Sequence, residues 1–412
     1  MKSIRVLHIT PSVRMLGARQ SLLTLVKELA GTKYEPYVLV PRKGPLTEEL
    51  DKRRIKWIEL FLPPWRKGRS WLTLPSRVAQ LRSLILEKHI DLIHCNEIYP
   101  NPHAVVASSN EPLGKEFFGV LVNKRRVGRP QIPIVTHNRL SVTPRMIKNY
   151  LLSEATRLIA VSEASSQDFV HCPWFAEKVR VVYNGVDFQE FEAAKTRRSM
   201  VRQRLGYNED ELVVASIGLL MPRKRPAFIL EAARRILERV PQARFLFVGD
   251  TSPGHSGYRK ELKSLAQKLG IEDKVQFLSF QDHIAEIFAA VDLNLLLSNN
   301  EGFGRVVIEA AALQVPTIGS NVGGIKEIII DGQTGFLIGG ERANEDSVFW
   351  KSMDDFVEKA VFLLQSPQER LRMGQAAYEH GRRNFSSESY RQGVMAVFDE
   401  AIEEFRQTAP PW

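Results

Sequence analysis

Residues 298–309 have the sequence SNNEGFGRVVIE, and the fold of the surrounding chain is predicted from this stretch. An apolar, strand-like run precedes it at 291–297, and a helical run follows at 306–313. A strand that passes through a glycine-containing loop into a helix forms the turn at which open parallel sheets bind ligands. Gly302 and Gly304 allow the backbone to approach a ligand closely. The free N–H groups of the first helical turn suit an anion such as a phosphate.

Two glutamates, Glu301 and Glu309, bracket this turn. Helical side chains lean toward the helix N-terminus, so Glu309 is expected to point back at the mouth of the turn. Both carboxylates could then accept hydrogen bonds from the hydroxyl groups of one ligand, such as a sugar or a ribose. The same residues also allow a second interpretation, in which Glu309 pairs with Arg305 on a solvated face and Glu301 is an ordinary loop acid.

The length and composition predict a cytoplasmic globular protein with two or three domains. The chain has 412 residues, 44% of them hydrophobic and 25% charged, which is ordinary for a soluble protein. No apolar run approaches the ~20 residues of a membrane-spanning helix, and the N-terminus becomes polar too soon for a signal peptide. Cys95 and Cys172 are the two cysteines, too few for a disulfide framework or a cysteine-based metal site, and are expected to be reduced.

The net positive charge of the chain arises entirely from its N-terminal half. Residues 1–190 contain 29 Lys+Arg against 17 Asp+Glu, a net charge of +12, whereas the remainder has 28 against 30, a net charge of −2. Two basic patches stand out, at 65–71 and 124–129. Tryptophan beside cations suits an anionic membrane surface, although such runs are more often solvated loops. Nucleic acid is not an expected partner, because no recognised binding motif accompanies the charge.

Strands and helices alternate along the whole chain, which predicts an α/β protein with parallel sheets and crossover helices. The first strand is predicted at 4–9, and the strand at 212–217 restarts the pattern after a polar segment. The predicted domains are therefore 1–188, 189–385 and a C-terminal helical segment 386–412. Residues 113–129, rich in glycine, phenylalanine and cations, are predicted to be an insertion that is mobile or faces a membrane.

The stretch continues with Gly323-Gly324, then Glu327, then the sequence DGQTGFL at 331–337. The whole run 292–337 resembles the donor-site signature of the GT-B glycosyltransferases, specifically the large retaining family 4 (glycosyl transferases group 1). The resemblance implies two Rossmann-like domains that face each other across a cleft, with the C-terminal helix crossing back onto the N-terminal domain. It also implies a nucleotide-sugar donor held by the C-terminal domain.

The loop after the strand 212–217 differs from the family pattern. The family has Gly-Arg-Leu followed closely by Lys-Gly, and its Arg and Lys bind the donor diphosphate. Here Gly218 and Lys224 match the pattern, Leu219 replaces the arginine and Arg225 replaces the second glycine. Loss of one charged hydrogen bond weakens binding by about 1.5–3 kcal/mol. Arg223 or Arg225 is expected to compensate from a different backbone position.

The resemblance assigns two residues of the N-terminal half to the site. Gly17 lies in the first strand–helix loop, which in the family approaches the donor phosphates and the acceptor. His137 lies in the Thr-His-Asn sequence that is expected to follow the fifth strand, and the family's histidine there reaches the transferred sugar. A single histidine at a strand end is by itself more typical of a hydrogen-bonded structural residue.

The implied mechanism is retaining transfer without a metal or other cofactor. Glu309 would bind the ribose hydroxyls and Glu301 the donor-sugar hydroxyls. Lys224 would stabilise the departing diphosphate, and the backbone of Gly302, Phe303 and Gly304 would approach the sugar. The expected acceptor is a sugar or a lipid-linked molecule, in polysaccharide or glycolipid assembly at the inner face of the membrane.

Two other functions are compatible with parts of the pattern. A glycoside hydrolase would use Glu301 and Glu309 as its paired carboxylates, but the phosphate-binding features around Lys224 would then have no role. A non-catalytic GT-B relative would bind a sugar nucleotide or a membrane partner without turnover, and Leu219 is the main feature that supports it.

Overall fold

The computed structural model describes residues 3–65, 72–109, 128–252 and 254–408. The chain divides into two compact units, one formed by residues 1–185 with 387–412 and the other by residues 186–386. Each unit contains one sheet, and every pair of neighbouring strands in both sheets is parallel. The predicted α/β architecture with two Rossmann-like domains is therefore confirmed.

The first unit has a seven-stranded sheet in the order β3-β2-β1-β4-β5-β6-β7. Its strands are β1 Ile4–Ile9, β2 Tyr34–Val40, β3 Lys56–Glu59, β4 Leu92–Cys95, β5 Ile134–Asn138, β6 Arg157–Ala160 and β7 Val179–Val181. The α-helices of this unit are Gly17–Glu28, Pro45–Lys52, Leu74–Glu87, Asn101–Ser108, Pro144–Asn149, Glu163–Ser166, Phe175–Lys178 and Ser387–Thr408. Both cysteines are free, and burial raises the pKa of the Cys95 thiol to about 12.

The last helix, Ser387–Thr408, packs on the sheet of the first unit. Tyr390, Val394 and Phe398 are buried in one apolar cluster with side chains of β1, β4, β5 and β6. Burying each large apolar side chain contributes roughly 1.5–3 kcal/mol. Polar contacts fix the helix in place, since the Tyr34 hydroxyl donates to Asp399 at 2.6 Å and Arg180 Nε donates to Glu400 at 2.9 Å. The predicted return of the C-terminal helix to the N-terminal domain is confirmed.

The second unit has a six-stranded sheet in the order β10-β9-β8-β11-β12-β13. Its strands are β8 Leu212–Ile217, β9 Ala243–Val248, β10 Val275–Leu278, β11 Leu293–Leu296, β12 Thr317–Ser320 and β13 Gly335–Ile338. Its α-helices are Phe188–Glu192, Arg198–Leu205, Pro226–Leu237, Tyr258–Lys268, Ile284–Ala289, Arg305–Ala312, Ile325–Ile328, Asp346–Phe349, Met353–Gln365 and Pro367–Asn384. The sequence DGQTGFL at 331–337 forms a tight turn that leads into β13, an edge strand that pairs in parallel with β12.

The strand order reverses direction between β8 and β11 in this second sheet. Chain connections leave these two strands in opposite directions, which opens a crevice beyond their carboxyl ends. The loops that follow β8 and β11 border this crevice, and they carry the two sequence motifs discussed above. The fold thus places both predicted motifs at the position where parallel sheets bind ligands.

Two features bear on membranes. Among the described residues, no helix has the length and apolar content that a bilayer crossing requires. Most of the two basic patches, residues 66–71 and 124–127, and most of the predicted insertion, residues 113–127, lie outside the described residues.

Candidate active site

The loops after β8 and β11 are joined directly by hydrogen bonds. The backbone N–H of Asn299 donates to the carbonyl of Arg223 at 2.8 Å, and Arg223 Nη1 donates to the carbonyl of Asn300 at 2.9 Å. The Ser320 hydroxyl, at the end of β12, donates to the carbonyl of Ser298 at 2.5 Å. The loops after β8 and β11, which lie about 75 residues apart in sequence, therefore form one continuous surface with the end of β12. We call this surface, at the carboxyl ends of the three strands, the rim.

Glu301 and Lys224 form an ion pair at the centre of this rim. Their side chains are only 18% and 17% exposed, so the pair is largely shielded from water. The Ser298 hydroxyl donates to Glu301 at 3.1 Å, and Arg223 Nη1 lies 3.9 Å from the same carboxylate. Burial alone would raise the pKa of Glu301, but these partners together lower the pKa below its ordinary value. Glu301 is therefore an ionised hydrogen-bond acceptor.

Glu309 lies on the helix Arg305–Ala312 and pairs with Arg305 at i−4, with 2.7 Å between Nε and Oε1. This pairing agrees with the second interpretation of the sequence, but the predicted solvated face is wrong. Glu309 and Arg305 are only 11% and 14% exposed, because the helix packs closely between its neighbours. Burial raises the pKa of the Glu309 carboxyl, and the Arg305 ion pair offsets only part of that shift.

The glycine pair Gly323-Gly324 packs directly against the Glu301 loop. A β-carbon on Gly323, whose φ is +48°, would lie 1.9 Å from the Glu301 carbonyl oxygen. A β-carbon on Gly324 would lie 2.5 Å from the Phe303 α-carbon, and the Gly324 N–H donates to the Glu301 carbonyl at 3.1 Å. Only glycine fits this backbone contact, so the pair positions the loop that carries Glu301.

A polar surface pocket of about 510 Å³ adjoins the same loop. Its lining consists mainly of amide side chains with one cation, namely Asn299, Asn300, Asn321, Asn344 and Lys326, together with Val322 and Gly323. Amides can both donate and accept hydrogen bonds, so such a pocket suits a ligand rich in hydroxyl groups. The four asparagines and Lys326 were not predicted as site residues, although the Gly-Gly sequence after a strand is a signal that pointed to this turn.

Arg225 does not occupy the position that the sequence analysis expected of a phosphate-binding residue. Its guanidinium is almost fully buried and pairs with Asp346, with 2.7 Å between Nη2 and Oδ1. It also donates to the carbonyl of Ala343 at 2.8 Å and stacks on the Phe349 ring at 3.8 Å from the centroid. Because these contacts occupy the side chain, we correct the assignment of Arg225 from donor binding to structural support of the rim.

The backbone of Arg225 explains why glycine is found at this position in the family pattern. Its φ of +54° is in the left-handed region, which costs a non-glycine residue roughly 1–2 kcal/mol. We expect Arg225→Ala to lower the free energy of unfolding by about 2–4 kcal/mol, the range for removing a buried charged network. Arg225→Gly should be less damaging by about 1 kcal/mol because it relieves the backbone strain. Urea unfolding of both variants measures this difference, and equal losses would contradict the strain argument.

The remaining predicted residues of the second unit also lie in the loops of this rim. Gly302 and Phe303 lie in the Glu301 loop, and Gly304, with a φ of +100°, is the N-cap residue immediately before the helix that carries Glu309. Gly218, which follows β8, has a φ of +144°. A β-carbon on Gly249, which follows β9, would lie 2.0 Å from the Gly218 carbonyl oxygen, so the backbones after these two strands are in close contact. The Arg223 side chain is exposed, and it can turn toward a ligand.

In the first unit, Gly17 begins the helix Gly17–Glu28 rather than lying within the preceding loop. A β-carbon there would meet open space, so packing does not require glycine.

The structure contradicts the predicted position of His137. Strand β5 continues to Asn138 instead of ending before Thr136, which places His137 inside the sheet with no exposed surface. Its Nδ1 hydrogen-bonds His94 Nε2 at 2.6 Å, and His94 Nδ1 hydrogen-bonds His8 Nδ1 at 2.8 Å. Tyr390 of the C-terminal helix lies beside the His137 ring. We therefore assign His137 to a buried histidine row (His8, His94 and His137), in agreement with the structural alternative.

The histidine row predicts acid-sensitive stability. Burial lowers the pKa of His8 to about 3, and burial together with Arg139 and the neighbouring rings lowers the pKa of His94 and His137 well below the usual value. The unfolded chain binds protons near pH 6.5 that the folded chain does not, so stability falls as the pH drops below that value. Lowering the pH from about 7.5 to about 5.5 should therefore lower the free energy of unfolding by about 4 kcal/mol, with about 1.4 kcal/mol from each of the three histidines.

Calorimetric proton uptake on unfolding tests this expectation. Near pH 5.5, His137→Phe should reduce the uptake by about one proton. Unchanged uptake in that variant would mean that His137 is already protonated in the folded chain.

Two family profiles match the chain. The family described as Glycosyl transferases group 1 matches residues 198–380, and Glycosyltransferase Family 4 matches residues 16–190. The D-inositol 3-phosphate glycosyltransferase of Kribbella flavida is 31% identical over 261 residues, covering 61% of this chain and 58% of its own length. The corresponding enzyme of Actinosynnema mirum is 31% identical over 265 residues, covering 62% and 60%. The match thus spans less than two thirds of these relatives.

Solved structures share the fold at lower identity. Anabaena Alr3699/HepE, in complex with UDP and glucose, aligns with a TM-score of 0.76 at 23% identity, covering 96% of this chain and 100% of its own. A glycosyltransferase from Rickettsia africae aligns with a TM-score of 0.75 at 19% identity, covering 98% and 100%.

Proposed function

Because the chain belongs to the GT-B glycosyltransferases, of the group 1 and family 4 kind, we propose that it is a retaining glycosyltransferase. It moves a sugar from a nucleotide-sugar donor to a hydroxyl group of an acceptor. The observation that carries this proposal is the shielded Lys224–Glu301 pair, which lies on the rim beyond the carboxyl ends of β8 and β11. A cation and a hydroxyl-binding carboxylate side by side suit the diphosphate and the sugar of one donor.

In the proposed reaction, the bond between the anomeric carbon and the diphosphate oxygen breaks, and its electron pair leaves on the diphosphate. The acceptor oxygen forms the new bond on the same face of the sugar, and its proton passes to the departing phosphate oxygen. Lys224 stabilises the negative charge that develops on the diphosphate, and the exposed Arg223 adds a second cation in place of the family's arginine. The reaction uses these protein cations without a metal or other cofactor.

The two glutamates have different roles in this proposal. Glu301, held ionised by its partners, accepts hydrogen bonds from the hydroxyls of the donor sugar. Glu309, held in the helix by Arg305, accepts those of the ribose. The amide-lined pocket beside the Glu301 loop offers further donors and acceptors for the same ligand.

UDP-glucose is the first donor to test, because the Anabaena protein of the same fold was solved with UDP and glucose. We propose that the acceptor is a sugar or a lipid-linked molecule, and that the chain acts in polysaccharide or glycolipid assembly. The test is UDP release from UDP-glucose, in the presence of a chelator, with the anomeric configuration of the product determined by NMR. Release with a retained anomer supports the proposal, whereas binding without release would favour the non-catalytic alternative that Leu219 suggests.

We also propose that the protein is cytoplasmic and binds the anionic inner face of the membrane through its basic N-terminal half. The full chain should sediment with vesicles that contain phosphatidylglycerol and not with phosphatidylcholine vesicles. Reversing Arg66, Lys67 and Arg69 to Glu should weaken the binding by about 10-fold or more, since each cation near an anionic surface contributes about 1 kcal/mol. A matched control reverses three exposed lysines of the second unit, Lys260, Lys263 and Lys268. Equal effects of both triple variants would contradict a localised membrane contact.

A further inference from the structure

The buried histidine row points toward the last helix, Ser387–Thr408. Residues two apart on a strand point to the same face of a sheet. Each histidine of the row follows, at this spacing, an apolar side chain that packs in one buried cluster with the last helix, namely Val6, Leu92 or Val135. The row and the helix therefore lie on the same face of the seven-stranded sheet.

Two aromatic rings of the helix cover the row. The Phe398 ring lies 6.3 Å from the His8 ring and 5.5 Å from the His94 ring, measured between centroids. The Tyr390 ring lies 6.1 Å from the His137 ring. Both aromatic rings are buried, and the three histidines have no exposed surface. Water can therefore reach the imidazoles from this side only if the helix moves away.

The covered row has no place for an additional proton. Three neutral imidazoles have three N–H groups and three bare nitrogens, and the two hydrogen bonds of the row use two of each. The remaining N–H and the remaining bare nitrogen are at the two ends, His8 Nε2 and His137 Nε2. Among the described residues, neither of these buried nitrogens has a hydrogen-bond partner. An added proton would therefore form a buried N–H without an acceptor, which is unfavourable.

The charges around the row also oppose its protonation. Burial lowers the pKa of His94 and His137, and the Arg139 cation directly after β5 lowers it further. The Arg139 guanidinium donates to the Tyr390 hydroxyl at 3.1 Å, so it is held between the row and the helix. The strand partners at the two ends of the row are uncharged, namely Val38 and Ile159.

The helices on this face bring no acidic partner to the row within the part of the chain that the structure describes. The helix Gly17–Glu28 contributes Leu25 and Leu29 to the buried cluster. Three acidic side chains of the last helix are paired elsewhere, namely Asp399 with Lys33, Glu400 with Arg180 and Glu404 with Arg157. A proton on the row would therefore have neither an acceptor nor a counter-charge while the helix is in place.

We propose that the histidine row makes the attachment of the last helix sensitive to acid, so that the helix leaves the sheet before the rest of the first unit unfolds. A single element of a domain can open at a lower free energy than the whole domain. Histidine in water gains a proton near pH 6.5, whereas the covered row does not, so acid favours the released helix. This inference goes beyond the proposed function and does not rest on it.

The size of the effect follows from the number of histidines that release exposes. Lowering the pH from about 7.5 to about 5.5 should raise the ratio of released to attached helix by about 10-fold for each exposed histidine. Phe398 covers both His8 and His94, so we expect an increase of about 100-fold or more.

Hydrogen–deuterium exchange of the full chain at pH 7.5 and pH 5.5 tests the proposal, with each rate divided by that of an unstructured peptide at the same pH. The protection of amides in the last helix should fall by about 100-fold or more. The strand Tyr34–Val40 of the same unit should keep its protection, because release of the helix leaves the sheet in place. Unchanged protection of the helix, or an equal fall in the strand, would overturn the proposal.

A variant of the row identifies the group that senses acid. Leucine has nearly the volume of histidine and does not titrate, so in His8→Leu the fall in protection should be about 10-fold smaller. The matched control is His171→Leu, which replaces an exposed histidine of the same unit and should leave the fall unchanged. Equal falls in both variants and the unmodified protein would reject the row as the sensor. If circular dichroism shows that His8→Leu does not fold, the comparison of helix and strand in the unmodified protein still decides the proposal.

Discussion

Replacing Lys224 with methionine is expected to lower kcat by about 10²–10³-fold, the effect of removing one preorganised charge partner from a developing anion. Methionine keeps the length and most of the volume of the side chain, so the substitution removes the charge rather than the packing. Glu301 then loses its principal cation, and burial, no longer opposed by Lys224, raises the pKa of its carboxyl. The measurement is the rate of UDP release from UDP-glucose at saturating donor.

Two further variants separate a direct role of Lys224 from a role exerted through Glu301. Arg223 lies at 3.9 Å from the same carboxylate and is more exposed than Lys224, so Arg223→Met should have a smaller effect. In Glu301→Gln the ion pair is already broken. If Lys224 contacts the diphosphate, adding Lys224→Met to Glu301→Gln lowers kcat further. No further loss in the double variant would show that Lys224 serves only to hold Glu301.

Replacing Gly323 with alanine is expected to lower the free energy of unfolding by about 4 kcal/mol and to abolish nucleotide-sugar binding. The new methyl group would lie 1.9 Å from the Glu301 carbonyl oxygen, and backbone cannot move aside as a flexible side chain can. Overpacking of this kind costs about 1–3 kcal/mol, and a positive φ adds roughly 1–2 kcal/mol for any residue other than glycine. Relief of the collision would displace the loop that carries Glu301, and the donor site with it.

Gly332 supplies the matched control for this substitution. Its φ of +73° is also positive, but a β-carbon there would meet nothing within 4 Å. Gly332→Ala should therefore lower the free energy of unfolding only by the cost of the positive φ, roughly 1–2 kcal/mol. It should bind nucleotide sugar normally. Comparable unfolding losses and comparable binding in the two variants would contradict the contact between the Gly323 turn and the Glu301 loop. Urea unfolding and calorimetric titration measure the two effects on the same samples.

The fold could be predicted from the sequence because its signals are local. The runs 4–9 and 212–217 are apolar and β-branched, and each is a strand with the predicted limits in the structure. The turn from β11 into the helix Arg305–Ala312 was predicted from its glycines and flanking periodicity. The contact between the loops after β8 and β11 depends on the strand order, and only the family resemblance, not residue spacing, related these loops in advance.

The errors share a different cause, because each concerns how far a side chain is buried by distant parts of the chain. His137 was expected on a loop, but three more residues of β5 pair with β6 and place it in the sheet. The Arg225 side chain instead pairs with Asp346 and stacks on Phe349, which lie more than 100 residues later in the chain. The i−4 spacing of Arg305 and Glu309 predicted their pairing but not their burial, which depends on the elements packed around the helix. Tertiary packing decides all three outcomes, and local pattern does not contain it.

The most direct test of the central claim is the thermal unfolding of the full chain with UDP-glucose, alongside Lys224→Met and Glu309→Ala. A ligand at about 1,000 times its dissociation constant stabilises the folded state by about 4 kcal/mol. We predict a clear rise in Tm for the unmodified protein that both variants lose, and GDP-, ADP- and TDP-sugars tested in parallel identify the base. The absence of a shift with every nucleotide sugar, or a shift that both variants retain in full, would contradict a donor site at the Glu301 loop.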